Sequence, residues 1–95
     1  MPRISPKTKD RIAEHVLSHL FSRAPEPVYT NAVARELARD EEFIKTLLGE
    51  LEQKKLVVKI TRNDKGLPLA RRARWRLSNT AFEAYDRMQR ARPNL

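Results

Sequence analysis

One stretch, residues 40–60, limits the possible folds more than any other part of the chain, because its hydrophobic period changes within a few residues. Ile44, Leu48 and Leu51 recur at helical spacing behind an acidic residue that can cap a helix. The β-branched run Val57–Ile60 follows almost at once and is typical of a strand. The pattern predicts a helix that leads through a tight turn into the first strand of a hairpin.

Three further helices are predicted around this stretch. A first helix of about fifteen residues starts behind the cap Ser5, carries a wide apolar stripe and ends before two prolines. Thr30 is expected to cap a short second helix. A last helix starts near Thr80, which heads a capping-box pattern. The candidate caps of this last helix are Ser78, Asn79 and Thr80, and its lining residues are Phe82, Tyr85 and Met88.

The second strand of the hairpin, about residues 71–77, alternates between apolar and basic side chains. Residues 63–66 are predicted to form the turn between the strands, because Gly66 can supply a positive φ. Trp75 is expected to close the core under the hairpin. The side chains that face the other way are Arg72, Arg74 and Arg76.

Composition narrows the class of protein. The 95 residues, 40% of them hydrophobic, suit one small domain that is mainly α with a β-hairpin, spanning residues 1–95 with residues 1–4 and 93–95 frayed. The absence of cysteine excludes disulfides and thiolate metal sites. No apolar run could span a membrane and the first residues lack the apolar centre of a signal peptide, so we expect a cytoplasmic protein.

The net charge of +8 is unevenly distributed. Residues 25–55 carry five Lys or Arg against seven acids, whereas residues 56–95 carry ten against three. The excess therefore lies in the hairpin and the last helix, and such a localised basic surface attracts polyanions. An acidic membrane surface suits the charge less well, because the chain has no strongly amphipathic, aromatic-tipped anchor.

The order of helix, helix, tight turn, helix, hairpin and final helix resembles the winged helix-turn-helix superfamily, in particular small bacterial and archaeal transcription regulators of the MarR and ArsR type. Residues 34–38 (Ala-Arg-Glu-Leu-Ala) are similar to the second helix of that motif, and residues 51–57 (Leu-Glu-Gln-Lys-Lys-Leu-Val) to the passage from the recognition helix into the wing. The resemblance implies a regulator that binds double-stranded DNA, often as a homodimer, with the third helix in the major groove and the wing along the flanking backbone. Lys55 stands where the family usually has glycine, so this turn has to accept a side chain or take another shape.

The predicted nucleic-acid-binding residues lie on the wing and at the middle of the third helix. The first turn of that helix holds three acids, Asp40, Glu41 and Glu42, which stabilise a helix N-terminus but would repel phosphate across a desolvated contact. We therefore expect the following residues to carry the contact: Lys45, Thr46, Lys59, Arg62, Lys65, Arg71, Arg72, Arg74 and Arg76.

Two apolar residues, Phe43 and Leu47, fall where the family usually exposes polar side chains. Either they widen the core, or they form an exposed strip that docks a second subunit or another protein. The second interpretation would make the chain a protein–protein interaction module in a larger assembly. RNA binding through shape is a third possibility.

Enzyme chemistry finds little support in the sequence. His15 and His19 could share a helix face as a metal pair would, but no third ligand follows at a recognisable spacing. No nucleophile elbow, phosphate-binding glycine loop or dinucleotide fingerprint occurs. We expect no enzymatic activity, cofactor or metal, and the sequence leaves a small-molecule effector open.

Overall fold

The computed structural model of the chain describes residues 5–61 and 73–91. These residues form four helices and a three-stranded antiparallel sheet, so the predicted class, mainly α with a small sheet, is confirmed. The predicted turn at residues 63–66 and the chain ends at residues 1–4 and 92–95 lie outside the described residues. The elements, in order, are α1 (Pro6–Arg23), β1 (Val28–Tyr29), α2 (Thr30–Leu37), α3 (Glu41–Gln53), β2 (Val57–Ile60), β3 (Arg74–Leu77) and α4 (Asn79–Ala91).

Two helices begin at the predicted capping residues. The hydroxyl oxygen of Ser5 accepts a hydrogen bond from the backbone N–H of Thr8 at 3.2 Å and caps α1. The carboxylate of Asp40 accepts from the backbone N–H of Phe43 at 3.1 Å and caps α3. Each bond satisfies a backbone donor that a helix leaves unpaired in its first turn.

The predicted cap of α2 is wrong, whereas α4 is capped by one of its three candidate residues. Thr30 is the first residue of α2 and is only 8% exposed, and its hydroxyl accepts a hydrogen bond from the indole Nε1 of Trp75 at 2.8 Å. A buried indole N–H needs an acceptor, and this tertiary bond takes the oxygen that local capping would have used. In α4, Ser78 rather than Thr80 is the cap, since its Oγ accepts from the backbone N–H of Ala81 at 3.1 Å.

Left-handed residues shape the turns on both sides of α3. Ala38 has a φ of 55° and ends α2. Lys55 has a φ of 63° just before β2, and the N–H of Leu56 bonds to the carbonyl of Leu51 at 3.0 Å. The turn into the wing thus keeps the shape that glycine usually supplies, at a cost of about 1 kcal/mol for a residue with a side chain.

A single core joins α1, α2, α3 and the sheet. Leu47 is buried at 2% exposure and Phe43 is half-buried against the core, so of the two interpretations of this pair the wider core is correct. The apolar strip required by the interaction-module interpretation is therefore not exposed. The largest fully buried side chains are Val16, Leu20, Val33, Ile44 and Leu48.

The last helix contacts α1 through an aromatic cluster. The ring of Phe21 in α1 lies 5.3 Å from that of Phe82 and 5.7 Å from that of Tyr85, measured between centroids. The hydroxyl of Tyr85 donates to Oε2 of Glu14 at 2.8 Å, and burial together with this acceptor raises the pKa of Tyr85 to about 12. Met88, on the same helix, stays 55% exposed. Part of the apolar face of α4 is thus open to solvent.

Within residues 5–61 and 73–91, no helix combines the length and the apolar content that a membrane crossing requires.

Candidate nucleic-acid interface

The middle of α3 presents both predicted helix residues to solvent. Lys45 and Thr46 are exposed, next to the fully buried Ile44. Gly49 lies three residues after Thr46 and four residues after Lys45, so it continues the same surface of the helix. A β-carbon built at Gly49 would find no heavy atom within 4 Å, so there is open space against the helix backbone at this point.

The start of α3 is acidic and exposed. Asp40 is used as the cap, and Glu41 and Glu42 are exposed in the first turn. None of the three forms an ion pair with another residue in the described part of the chain. A phosphate approaching this end of the helix would therefore meet uncompensated carboxylates.

The register of the sheet places the two described wing arginines on one face. Residues directly opposite each other in antiparallel strands point to the same side of the sheet. Arg74 pairs with Ile60 and Arg76 pairs with Val58, so all four side chains share the face that points away from the buried Trp75. We call this face, together with Tyr29 beside Arg74 on β1, the outer sheet face.

Lys59 lies on the opposite face of the sheet from these arginines. It pairs with Trp75, and its ammonium nitrogen lies 5.8 Å from the centroid of the indole ring. Lys59 itself is exposed, so this cation–π contact is worth about 0.5–1 kcal/mol. The three described cations of the wing, Lys59, Arg74 and Arg76, are therefore divided between two faces of the sheet.

Both guanidinium groups on the outer sheet face touch the protein but form no ion pair within the described residues. The guanidinium carbon of Arg74 lies 6.0 Å from the ring centroid of Tyr29, and its Nε is buried without a hydrogen-bond partner there. Nη1 of Arg76 donates to the carbonyl of Leu77 at 2.9 Å. Because an arginine has five N–H donors, each side chain keeps donors for a ligand. Four other predicted wing residues lie outside the described residues: Arg62, Lys65, Arg71 and Arg72.

A further basic surface, a groove between α1 and the end of α2, was not predicted. It has a volume of about 590 Å³ and is lined on the α1 side by Arg11, His15 and His19, and on the α2 side by Arg39. The helical spacing of the three α1 residues could have shown that they share a face, but only packing brings Arg39 to them. Among the described residues there is no group of three or more side chains that could hold a metal ion.

No protein-family model and no curated protein matches the chain. Solved structures do match it. The complex of Staphylococcus aureus MepR with DNA has a TM-score of 0.71 at 21% sequence identity and covers 88% of this chain and 66% of that one. A second structure is that of MepR as a transcription regulator of the S. aureus multidrug efflux pump MepA. It has a TM-score of 0.62 at 21% identity and covers 83% of this chain and 59% of that one.

A mutant of Lactococcus lactis ZitR has a TM-score of 0.67 at 16% identity and covers 95% of this chain and 57% of that one. The chain thus spans about three fifths of the length of these matched structures. The resemblance drawn from the sequence is confirmed in the fold: the chain has the winged helix-turn-helix fold, as small MarR-like regulators do.

Proposed function

We propose that the chain binds double-stranded DNA and regulates transcription, through the middle of α3 and the basic wing. The observation that carries this proposal is the surface formed by the exposed Lys45 and Thr46, with open space beside Gly49, on the third helix of a winged helix-turn-helix fold. In this motif the third helix enters the major groove. The neighbouring structure of MepR is a complex with DNA, which supports the same assignment here.

Each part of the surface has a distinct role in the proposal. Lys45 and Thr46 address base edges or the nearest phosphates, and the open space at Gly49 lets the helix backbone come close to the groove. The wing follows the flanking backbone through its cations, of which Arg74 and Arg76 project from the outer sheet face. The other wing residues assigned to the backbone are Lys59, Arg62, Lys65, Arg71 and Arg72.

The proposal is tested by titrating a fluorescent duplex of random sequence with the protein at several salt concentrations and measuring anisotropy. If about five phosphates are neutralised, log affinity falls with log salt at a slope of roughly −4 to −5. Lys45→Gln should reduce the steepness of that slope by about 1, because one counterion fewer is released. Lys7→Gln removes the same charge from the exposed start of α1 and should leave the slope unchanged. A response that does not depend on salt excludes the electrostatic contact.

The wing is tested separately by a double charge reversal, Arg72→Glu with Arg74→Glu. Duplex affinity should fall strongly, since two attractive charges become repulsive next to the backbone. Unchanged affinity would reject the role assigned to the wing. An RNA duplex of the same sequence, titrated in parallel, distinguishes DNA binding from recognition of nucleic-acid shape in general.

We also propose that two copies of the chain associate through α4 and α1. Phe82 and Met88 are 38% and 55% exposed, and they continue the aromatic cluster of Phe21 and Tyr85 on one side of α4. Large apolar side chains that are exposed together commonly mark a contact surface. A homodimer also suits a fold that reads two half-sites of a symmetric DNA sequence.

A further inference from the structure

The outer sheet face combines an aromatic ring, two cations and two aliphatic side chains. Tyr29 is 40% exposed, and the other four residues are half-buried: Val58, Ile60, Arg74 and Arg76. None of these five side chains is acidic, and neither arginine forms an ion pair with any described residue. The face therefore attracts an anion and also offers it an aromatic and aliphatic surface.

The register of the sheet sets the spacing of these groups. Because β3 is the middle strand, Arg74 has Tyr29 on one side and Ile60 on the other. Residues directly opposite each other have β-carbons only about 4.5–5.5 Å apart. Arg76 follows Arg74 at a distance of about 7 Å along the strand. The ring and both guanidinium groups thus lie within reach of neighbouring nucleotides of one polynucleotide strand.

One polar group on this face is unsatisfied in the protein alone. The Nε donor of Arg74 is buried and has no hydrogen-bond partner among the described residues, while its guanidinium carbon lies 6.0 Å from the ring centroid of Tyr29. A buried donor without an acceptor is unfavourable. An anionic oxygen that draws the guanidinium group outward would supply the missing acceptor. The face is therefore better satisfied with a bound anion than without one.

A single strand suits this face better than a duplex does. In a duplex the faces of the bases are hidden in the stack, so an exposed ring has no base face to contact. Single strands bind to positively charged surfaces on which their bases stack on aromatic side chains, and sheets that present such aromatics are used in this way. Val58 and Ile60 favour deoxyribose over ribose, because a 2′-hydroxyl against aliphatic side chains would lose its hydrogen bonds to water.

We infer that the outer sheet face binds single-stranded DNA. One base stacks on Tyr29, Arg74 and Arg76 bind neighbouring phosphates, and the sugars lie on Val58 and Ile60. This binding mode goes beyond the proposed contact with duplex DNA, because the middle of α3 takes no part in it, although both modes use the two arginines.

A fluorescein-labelled deoxyuridylate oligomer of about eight nucleotides serves as the probe, within the range of site sizes known for single strands. Anisotropy during titration with the whole chain at low salt should show saturable binding, with a dissociation constant on the order of 100 µM or tighter. An oligomer of the same length and charge without bases should bind at least about fivefold more weakly, because no base stacks on Tyr29. Uridylate RNA of the same length should bind at least about twofold more weakly. No saturable binding, equal binding without bases, or RNA binding that is equal or tighter would overturn the inference.

Variants of Tyr29 test the stacking contact. Tyr29→Leu keeps an apolar side chain but removes the ring, and it should weaken binding of the deoxyuridylate oligomer by about fivefold or more. Tyr29→Phe keeps the ring and should leave the affinity within about twofold. Equal affinities of the two variants would refute the role of the ring. If Tyr29→Leu does not fold, the oligomer without bases makes the same comparison on the unchanged protein.

A second pair of variants tests the charge. Arg76→Gln should weaken binding and reduce the steepness of the salt slope by about 0.7, the value for one phosphate of a single strand. Lys7→Gln removes the same charge from the exposed start of α1 and should change neither quantity. An identical response of both variants would contradict the contact with phosphate.

The duplex titration on the same proteins separates this inference from the proposed function. Tyr29→Leu should leave duplex affinity within about twofold, because a duplex presents no base face to the ring. Duplex binding without base-dependent binding of the single strand would refute this inference alone. Base-dependent binding of the single strand without duplex binding would refute the proposed function alone.

Discussion

The hydrogen bond from Trp75 to Thr30 links the middle strand of the sheet to the first residue of α2. Thr30→Val keeps the shape of the side chain but leaves the indole N–H buried without an acceptor. We expect this change to lower the free energy of unfolding by about 1–3 kcal/mol, measured by urea denaturation followed by circular dichroism. In a Trp75→Phe background the same change should cost much less, because no N–H remains to be satisfied. An equal cost in both backgrounds would contradict the explanation.

Lys55 holds a left-handed conformation in the turn between α3 and β2. Lys55→Gly should raise the free energy of unfolding by about 0.5–1 kcal/mol, because glycine adopts this conformation without steric cost and part of that gain is offset by its larger unfolded-state entropy. The matched control is Lys54→Gly, where φ is −81° and there is no strain to relieve. That change should lower stability. Urea denaturation of both variants checks the prediction, which fails if the two respond alike.

Gly49 weakens α3, since a glycine in a helix interior costs about 1 kcal/mol relative to alanine. No neighbouring atom would clash with a methyl group added at this position. Gly49→Ala should therefore raise the free energy of unfolding by about 0.5–1 kcal/mol. If α3 enters the groove of DNA, the same methyl group should also weaken duplex binding by holding the helix backbone away. Denaturation and anisotropy on one variant measure both effects. A more stable protein with unchanged duplex affinity would show that Gly49 has no role in DNA contact.

The attachment of α4 to α1 should depend on pH in the alkaline range. The pKa of Tyr85 is raised to about 12 because burial and the carboxylate of Glu14 both disfavour the phenolate. The neutral form is thus preferred in the folded state, so its stabilising contribution is complete below pH about 10 and is lost as the pH rises from about 10 to 12. Absorbance titration of a Tyr29→Phe variant should report the raised pKa. Adding Glu14→Gln should lower that pKa; no change would contradict the assigned cause.

The hydrophobic period predicted the helices, because apolar residues such as Ile44 and Leu48 recur at helical spacing within the helix itself. The period also predicted which residues of β3 face the core. It could not predict the role of Thr30, because a cap signal is local whereas the indole of Trp75 lies 45 residues away in sequence. The groove was missed for the same reason: α1 supplies a visible row of polar residues, but Arg39 joins that row only when α1 packs against α2.

The distribution of charge over the whole molecule separates three surfaces. The acidic start of α3 faces solvent, while the middle of that helix and the outer sheet face carry exposed or half-exposed cations. The open face of α4 is apolar and bears the aromatic cluster. Among the described residues, the surface that we assign to DNA therefore does not overlap with the surface of α4 that we propose for a second copy of the chain.

The proposed homodimer can be tested at Met88, which is 55% exposed and adds little to the core. A stable interface buries about 800 Å² per partner, so α4 must be joined by the neighbouring face of α1. Met88→Glu should weaken the dimer by about tenfold or more, because a carboxylate would be desolvated in the contact. Gln89→Glu adds the same charge one residue away, where the described side chain is exposed outside the aromatic cluster, and should change little. Sedimentation equilibrium measures all three proteins. A monomer at every concentration, or equal weakening by both variants, would remove α4 as the dimer surface.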